Sequence, residues 1–165
     1  MPPFVPRQLA LLLVLCFTAA SEAQLRVATW NCAALRGDLS AIRDILTEIA
    51  EDDISGWSTP PAVLILQEVN EGDQVTLRNL LNSEVPGPTW RIATYTNSDS
   101  GGAQACIYRG ELLTESVSDH RDIFTGAGRF SDRWRFTIDA TNGSAGFWVY
   151  SCHLKASQGL SLIHI

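Results

Sequence analysis

Three side chains capable of chemistry follow runs that read as β-strands: Asn31 after LRVATW, Glu68 after AVLILQ, and His153 after GFWVYSC. Asparagine and glutamate offer hard oxygen ligands suited to Mg2+ or Mn2+, and a histidine beside them can donate a proton or a hydrogen bond to a phosphate oxygen. Side chains at strand ends can converge on one edge of a sheet, where α/β proteins commonly build their sites. Each residue also has an ordinary reading. Glu68 can simply open the polar turn Asn70-Glu71-Gly72-Asp73, Asn31 can begin a turn, and His153 can be a structural residue after an aromatic strand.

The elements that must position these residues are readable in outline. After Pro60 and Pro61, the aliphatic run Val63-Leu64-Ile65-Leu66 predicts a strand buried on both faces. Such a strand has no cheap place for an ionised carboxylate, which puts Glu68 at its end. Upstream, residues 25–30 alternate apolar and polar and predict the first strand. Asp38 can cap a helix whose apolar positions Leu39, Ile42, Ile45, Leu46 and Ile49 recur at three- and four-residue intervals. Strand, helix, strand is the order of a parallel crossover.

Asp73 is then expected to cap a second helix with Val75, Leu77, Leu80 and Leu81 inside, ended by Pro86-Gly87-Pro88. Short strands are expected at 90–96, 103–109, 112–117, 133–140 and 146–153, with surface loops at 97–102 and 118–128. Asn142-Gly143 favours a tight hairpin turn between the last two strands. The pattern predicts one mixed α/β (α+β) domain with much antiparallel sheet.

Composition bounds the function. With 165 residues, 45% apolar and 18% charged, the chain suits one domain with a real core. Arg7, the apolar run 9–20 and the small residues of Ser21-Glu22-Ala23 predict a secretory signal peptide over 1–23, too short to span a bilayer comfortably. The predicted location is secreted or periplasmic, with no transmembrane segment after cleavage and no stable protein partner. Removing Arg7 and Glu22 takes away one charge of each sign and leaves the formal charge at −6. An acidic protein holds a polyanion poorly by charge alone, so a phosphate substrate needs a cation between them. No basic, aromatic-studded patch is evident in the linear order. Cys32, Cys106 and Cys152 are an odd set with no zinc-like spacing, and they read as small buried hydrophobes with at most one internal disulfide.

Taken together and in order, the strand ends resemble the endonuclease/exonuclease/phosphatase superfamily, the pancreatic-type deoxyribonuclease fold. The resemblance rests on LRVATWN at 25–31, VLILQEV at 63–69, IYR at 107–109 and VYSCHLKAS at 149–157, and covers residues 25–159. It implies a two-sheet β-sandwich flanked by helices, with Asn31 and Glu68 at a Mg2+ (or Mn2+) site and His153 on the scissile phosphate. It further implies Arg129, in GRFSDRWRF, as a phosphate contact; Arg133 and Arg135 are the alternatives as solvated strand positions. The implied activity is metal-assisted attack of water on a phosphodiester or phosphomonoester, whether of nucleic acid, a lipid headgroup or a small molecule.

Two of the family's motifs, a GDFN-like strand end and a final SDH, do not follow the HLK strand. Ser118-Asp119-His120 spells SDH, but upstream of His153, and reads as coincidence. The terminal LSLIHI at 160–165 is the in-frame translation of a sequencing-library transposase adapter, which predicts read-through after a partial domain at 24–159. On that reading the chain is roughly the N-terminal half of the sandwich and is inactive alone. The rival is a non-catalytic secreted binding domain on the same scaffold. A thiol hydrolase using Cys152 with His153 ranks third, because neighbours on one strand point to opposite faces.

Overall fold

The computed structural model describes residues 25–51, 60–96, 102–126 and 129–153. The expected leader at 1–23 and the segment 160–165 lie outside them. In chain order the elements are β1 (Val27–Asn31), α1 (Leu39–Glu51), β2 (Val63–Val69), α2 (Asp73–Glu84), β3 (Trp90–Ile92), β4 (Ala103–Arg109), β5 (Leu113–Glu115), β6 (Arg121–Phe124), β7 (Phe130–Ile138) and β8 (Gly146–Cys152).

The expected crossover forms. β1 and β2 pair in parallel, with Val27 opposite Val63 and Asn31 opposite Gln67, and α1 connects them. The first sheet runs β1-β2-β4-β3, with β4 antiparallel to both of its neighbours. In the second sheet β7 is central. β8 pairs along one side of it, and the other side is shared, β6 beside residues 130–133 and β5 beside 136–138.

The run 63–66 is buried on both faces because it divides two cores. Leu64 and Leu66 point to the helices, where they meet Ile42, Leu46, Leu77 and Leu81. Val63 and Ile65 point to the second sheet, where they meet Trp134, Phe136 and Val149. The result is helices, sheet, sheet: an α+β sandwich, as expected. Across the inter-sheet space Tyr108 and Phe136 lie 5.0 Å apart at their ring centroids. The Trp134 indole N–H donates to the Thr94 carbonyl at 2.8 Å, which satisfies the one polar atom of a fully buried ring.

Several local expectations change. Asp38 caps α1, its Oδ1 accepting from the Ser40 N–H at 3.0 Å. The buried face of α1 is Ile42, Leu46 and Ala50, while Leu39 and Ile45 are exposed. α2 starts at Asp73 with Gly72, at φ +96, in the capping position; the Asp73 carboxylate reaches back instead to the Asn70 N–H at 2.9 Å. Val75 is exposed, leaving Leu77 and Leu81 as the buried inner face with Leu80 packed partly against it. The loop expected at 118–128 contains β6, a strand held by pairing with β7 rather than by its own hydrophobicity. The turn after β7 is not a two-residue hairpin: a 3-10 turn over Asp139–Thr141 precedes Asn142 and Gly143, both at positive φ.

Candidate functional site

A regular strand would place Glu68 on the same face as Leu66, inside the helix-covered core. The register with β4 shifts there: Leu66 opposes Ala105 and Val69 opposes Ala103, so Gln67 and Glu68 together stand against Gln104. This β-bulge keeps both Leu66 and Val69 in the helix-side core and turns Glu68 out of it. The turn requires φ +54 at Glu68, a left-handed conformation that costs a non-glycine residue about 1–2 kcal/mol. Gly102, at φ +92, makes room, since a Cβ there would lie 2.7 Å from Glu68 Cα. Tyr95 secures the far end by donating from its hydroxyl to the Val69 carbonyl at 3.2 Å. Burial first, then the charges of Asp73, Glu71 and Asp132, push the Tyr95 phenol up to about 12, so it stays a donor.

The second sheet supplies His153. Along β8, Phe147 and Val149 pack inward and Ser151 is buried, while Trp148, Tyr150 and Cys152 are exposed. His153 continues the inward parity, and its Nε2 lies 3.4 Å from Glu68 Oε1, an ion-pair separation slightly beyond an ordinary hydrogen bond. The His153 side chain is 16% exposed and Glu68 is 35% exposed, so the pair sits at a mouth rather than in the core. His153 Nδ1 is buried and has no hydrogen-bond partner among the described residues. Gln104 holds the two sheets together nearby, its Nε2 donating to the Phe130 carbonyl at 2.6 Å.

Asn31 stands at the end of β1, one register position from Glu68. It is exposed, and its Oδ1 accepts from the Ala33 N–H at 3.0 Å, which leaves a lone pair for another ligand. The following residues Ala33, Ala34 and Leu35 have φ +47, +56 and +47. Left-handed backbone at both adjoining strand ends is strain of the kind that clusters at ligand sites. Cys32 ties the two ends together, its N–H donating to the Gln67 carbonyl at 3.1 Å.

Arg129 immediately precedes β7, whose Ser131 pairs with Cys152, so its backbone lies at the His153 edge of the second sheet. Its carbonyl accepts from the Thr125 N–H at 3.1 Å and the Thr125 hydroxyl at 2.7 Å. The structure thus brings Glu68 and His153 into contact, sets Asn31 beside Glu68 and places Arg129 on the same edge.

The oxygen-only pair of Glu68 and Asn31 fits a hard cation that keeps most of its waters, and the orphaned His153 nitrogen fits an anionic neighbour. Cys152 stands apart from this group. It is exposed on the opposite face, with its Sγ 2.9 Å from Ser131 Oγ. The expectation that all three cysteines are buried therefore fails at Cys152, and all three thiols are free.

Two features are invisible in the linear order. The outer face of the second sheet does gather basic and aromatic residues: the Arg133 and Arg135 guanidinium carbons lie 4.4 and 5.4 Å from the centroid of the exposed Trp148 ring. Arg135 also pairs with Asp119 at 3.1 Å, so this charge is partly spent inside the fold. The second feature is a cluster of His120, Asp122 and Asp132, whose ligand atoms lie within 4.8 Å of one another. The SDH triplet was its only sequence signal, and it named the wrong aspartate.

No protein-family model matches the chain, and no curated protein matches it.

Proposed function

We propose that this chain carries the Glu68–His153 side of a secreted or periplasmic, metal-dependent phosphoesterase centre of the endonuclease/exonuclease/phosphatase type. The observation that carries the reading is the bulge. Strained backbone turns a carboxylate out of a core strand toward a histidine from the facing sheet, whose other nitrogen is buried and unpartnered. A buried polar atom without a partner costs about 1–3 kcal/mol, and a phosphate oxygen at His153 Nδ1 would recover it.

Glu68 and Asn31 are the residues that would hold Mg2+ or Mn2+, which supplies charge neutralisation at the phosphate and an acidified water. The chain's own residues then divide the work. Glu68 Oε1 faces His153 Nε2 at 3.4 Å and sets the orientation of the ring. The ring would present Nδ1 to a non-bridging phosphate oxygen, and Arg129 adds charge along the same edge. The substrate is a phosphodiester or phosphomonoester of nucleic acid, a lipid headgroup or a small molecule.

The test is calorimetric titration of the full chain with p-nitrophenyl phosphate, with and without Mg2+. Binding should require Mg2+ and weaken at least tenfold in Glu68→Gln and in His153→Ala. Mg2+-independent binding, or binding that survives Glu68→Gln, would remove the reading.

A further inference from the structure

We propose that His120, Asp122 and Asp132 form a second cation site, selective for a borderline divalent ion such as Zn2+ and sharing no ligand with the Glu68 site. The strand pairing builds it. Asp122 on β6 is directly opposite Asp132 on β7, and His120, immediately before β6, stands over Trp134 with ring centroids 5.8 Å apart. Asp132 shares the inward parity of Trp134 and Phe136, and only 3% of it is exposed. The three ligand atoms therefore gather at the rim of the inter-sheet core.

The observation that points to a ligand is His120 itself. Its side chain is 8% exposed, and its Nε2 is buried without a hydrogen bond. The atom faces Asp122 Oδ1 at 3.7 Å, too far for a hydrogen bond. Asp122 Oδ2 already accepts from the Thr96 hydroxyl, which orients the carboxylate and presents Oδ1 to the histidine.

The donor set selects the ion. One imidazole nitrogen with two carboxylate oxygens is a three-ligand set that Zn2+ takes with a fourth position open, whereas Mg2+ demands oxygen. Ligand atoms around a tetrahedral zinc stand ~3.4 Å apart, from metal–ligand distances of ~2.0–2.2 Å. The His120–Asp122 separation of 3.7 Å is already near that spacing, and the cluster's 4.8 Å limit leaves at most about 1.4 Å of closure for the remaining pairs. Such an ion would fasten the start of β6 to β7 and, through Thr96, to the segment after β3.

The experiment is titration of the chelator-stripped full chain with ZnCl2 by calorimetry, with thermal unfolding and zinc-edge X-ray absorption on the same samples. One zinc should bind wild type and Glu68→Gln alike, with a raised unfolding midpoint, and at least tenfold more weakly to His120→Gln and Asp132→Asn. Excess Mg2+ should not displace it. The absorption spectrum, which needs no variant to fold, should show nitrogen and oxygen neighbours only. Zinc binding unchanged in a folded His120→Gln, binding lost in Glu68→Gln, a zinc–sulfur shell at ~2.3 Å, or no binding by wild type would each overturn the proposal.

Discussion

At the scale of single residues, each functional atom is decided by which face of its strand it occupies. His153 and Cys152 are neighbours, yet one faces the other sheet and the other faces solvent. The sequence could not say which, because β8 is apolar on both faces: Phe147 and Val149 alternate with Trp148 and Tyr150. Burial pushes the Cys32 thiol up to about 11 and the Cys106 thiol well above its ordinary value. Alkylation of the folded protein by iodoacetamide at neutral pH should therefore label Cys152 and spare Cys32 and Cys106. Labelling of Cys106 as fast as Cys152 would contradict their placement. Glu68 was legible as a carboxylate expelled from a core strand, with His153 and Asn31 as its companions, but not as a bulge residue inside β2, since Val69 continues the pairing beyond it. His120, Asp122 and Asp132 were not, because their proximity comes from cross-strand register, which leaves no spacing signature.

At the scale of elements, the bulge in β2 is the device that turns a core strand into a site. Its partner is Gly102, where an alanine Cβ would press on Glu68 Cα at 2.7 Å in a left-handed backbone. Gly102→Ala should destabilise the protein by about 1–3 kcal/mol and weaken Mg2+-dependent phosphate binding. Gly37→Ala is the control, since a Cβ there meets only Ile42 at an ordinary 3.8 Å. Equal denaturation midpoints for the two variants would show that the bulge tolerates a side chain. The crossover β1-α1-β2 was readable because period and order agree. β6 was missed because Arg121 and Asp122 dominate its four residues, and only β7 makes it a strand. The strand expected at 90–96 stops at Ile92, after which the chain turns toward the second sheet to meet Glu115 and Trp134.

At the scale of the molecule, the two cores and the carboxylates at the surface set stability. Phe136 is fully buried between Tyr108 and Phe147, and Phe136→Ala should cost about 3–5 kcal/mol in denaturant unfolding. A loss under 1 kcal/mol would mean the sheets do not pack as described. The carboxyls of Asp38, Asp119 and Glu111 are held below their ordinary values. The Ser40 N–H and hydroxyl lower Asp38, and the Ser116 hydroxyl and Arg135 lower Asp119. At Glu111 burial acts upward, but the Thr89 N–H and Arg109 outweigh it. Depressed acids contribute stability above their unfolded pKa and lose it as pH falls through the folded one. Unfolding free energy should thus be steady above pH ~5 and fall below pH ~4. Undiminished stability at pH 3 would contradict these contacts. The mixed α/β character was legible from the change in period along the chain and the helix–sheet–sheet layering only from the family resemblance, whereas its basic and aromatic outer face, assembled from β7 and β8, was not.

The account's central claim is that Glu68 and His153 converge to hold a metal and a phosphate. The most direct measurement is a crystal structure of the full chain grown with Mn2+ and inorganic phosphate. The account predicts an anomalous peak ~2.1–2.3 Å from the Glu68 carboxylate, with a phosphate oxygen within hydrogen-bond reach of His153. Manganese absent from Glu68, with the Glu68–His153 contact unchanged and no phosphate beside it, would contradict the claim.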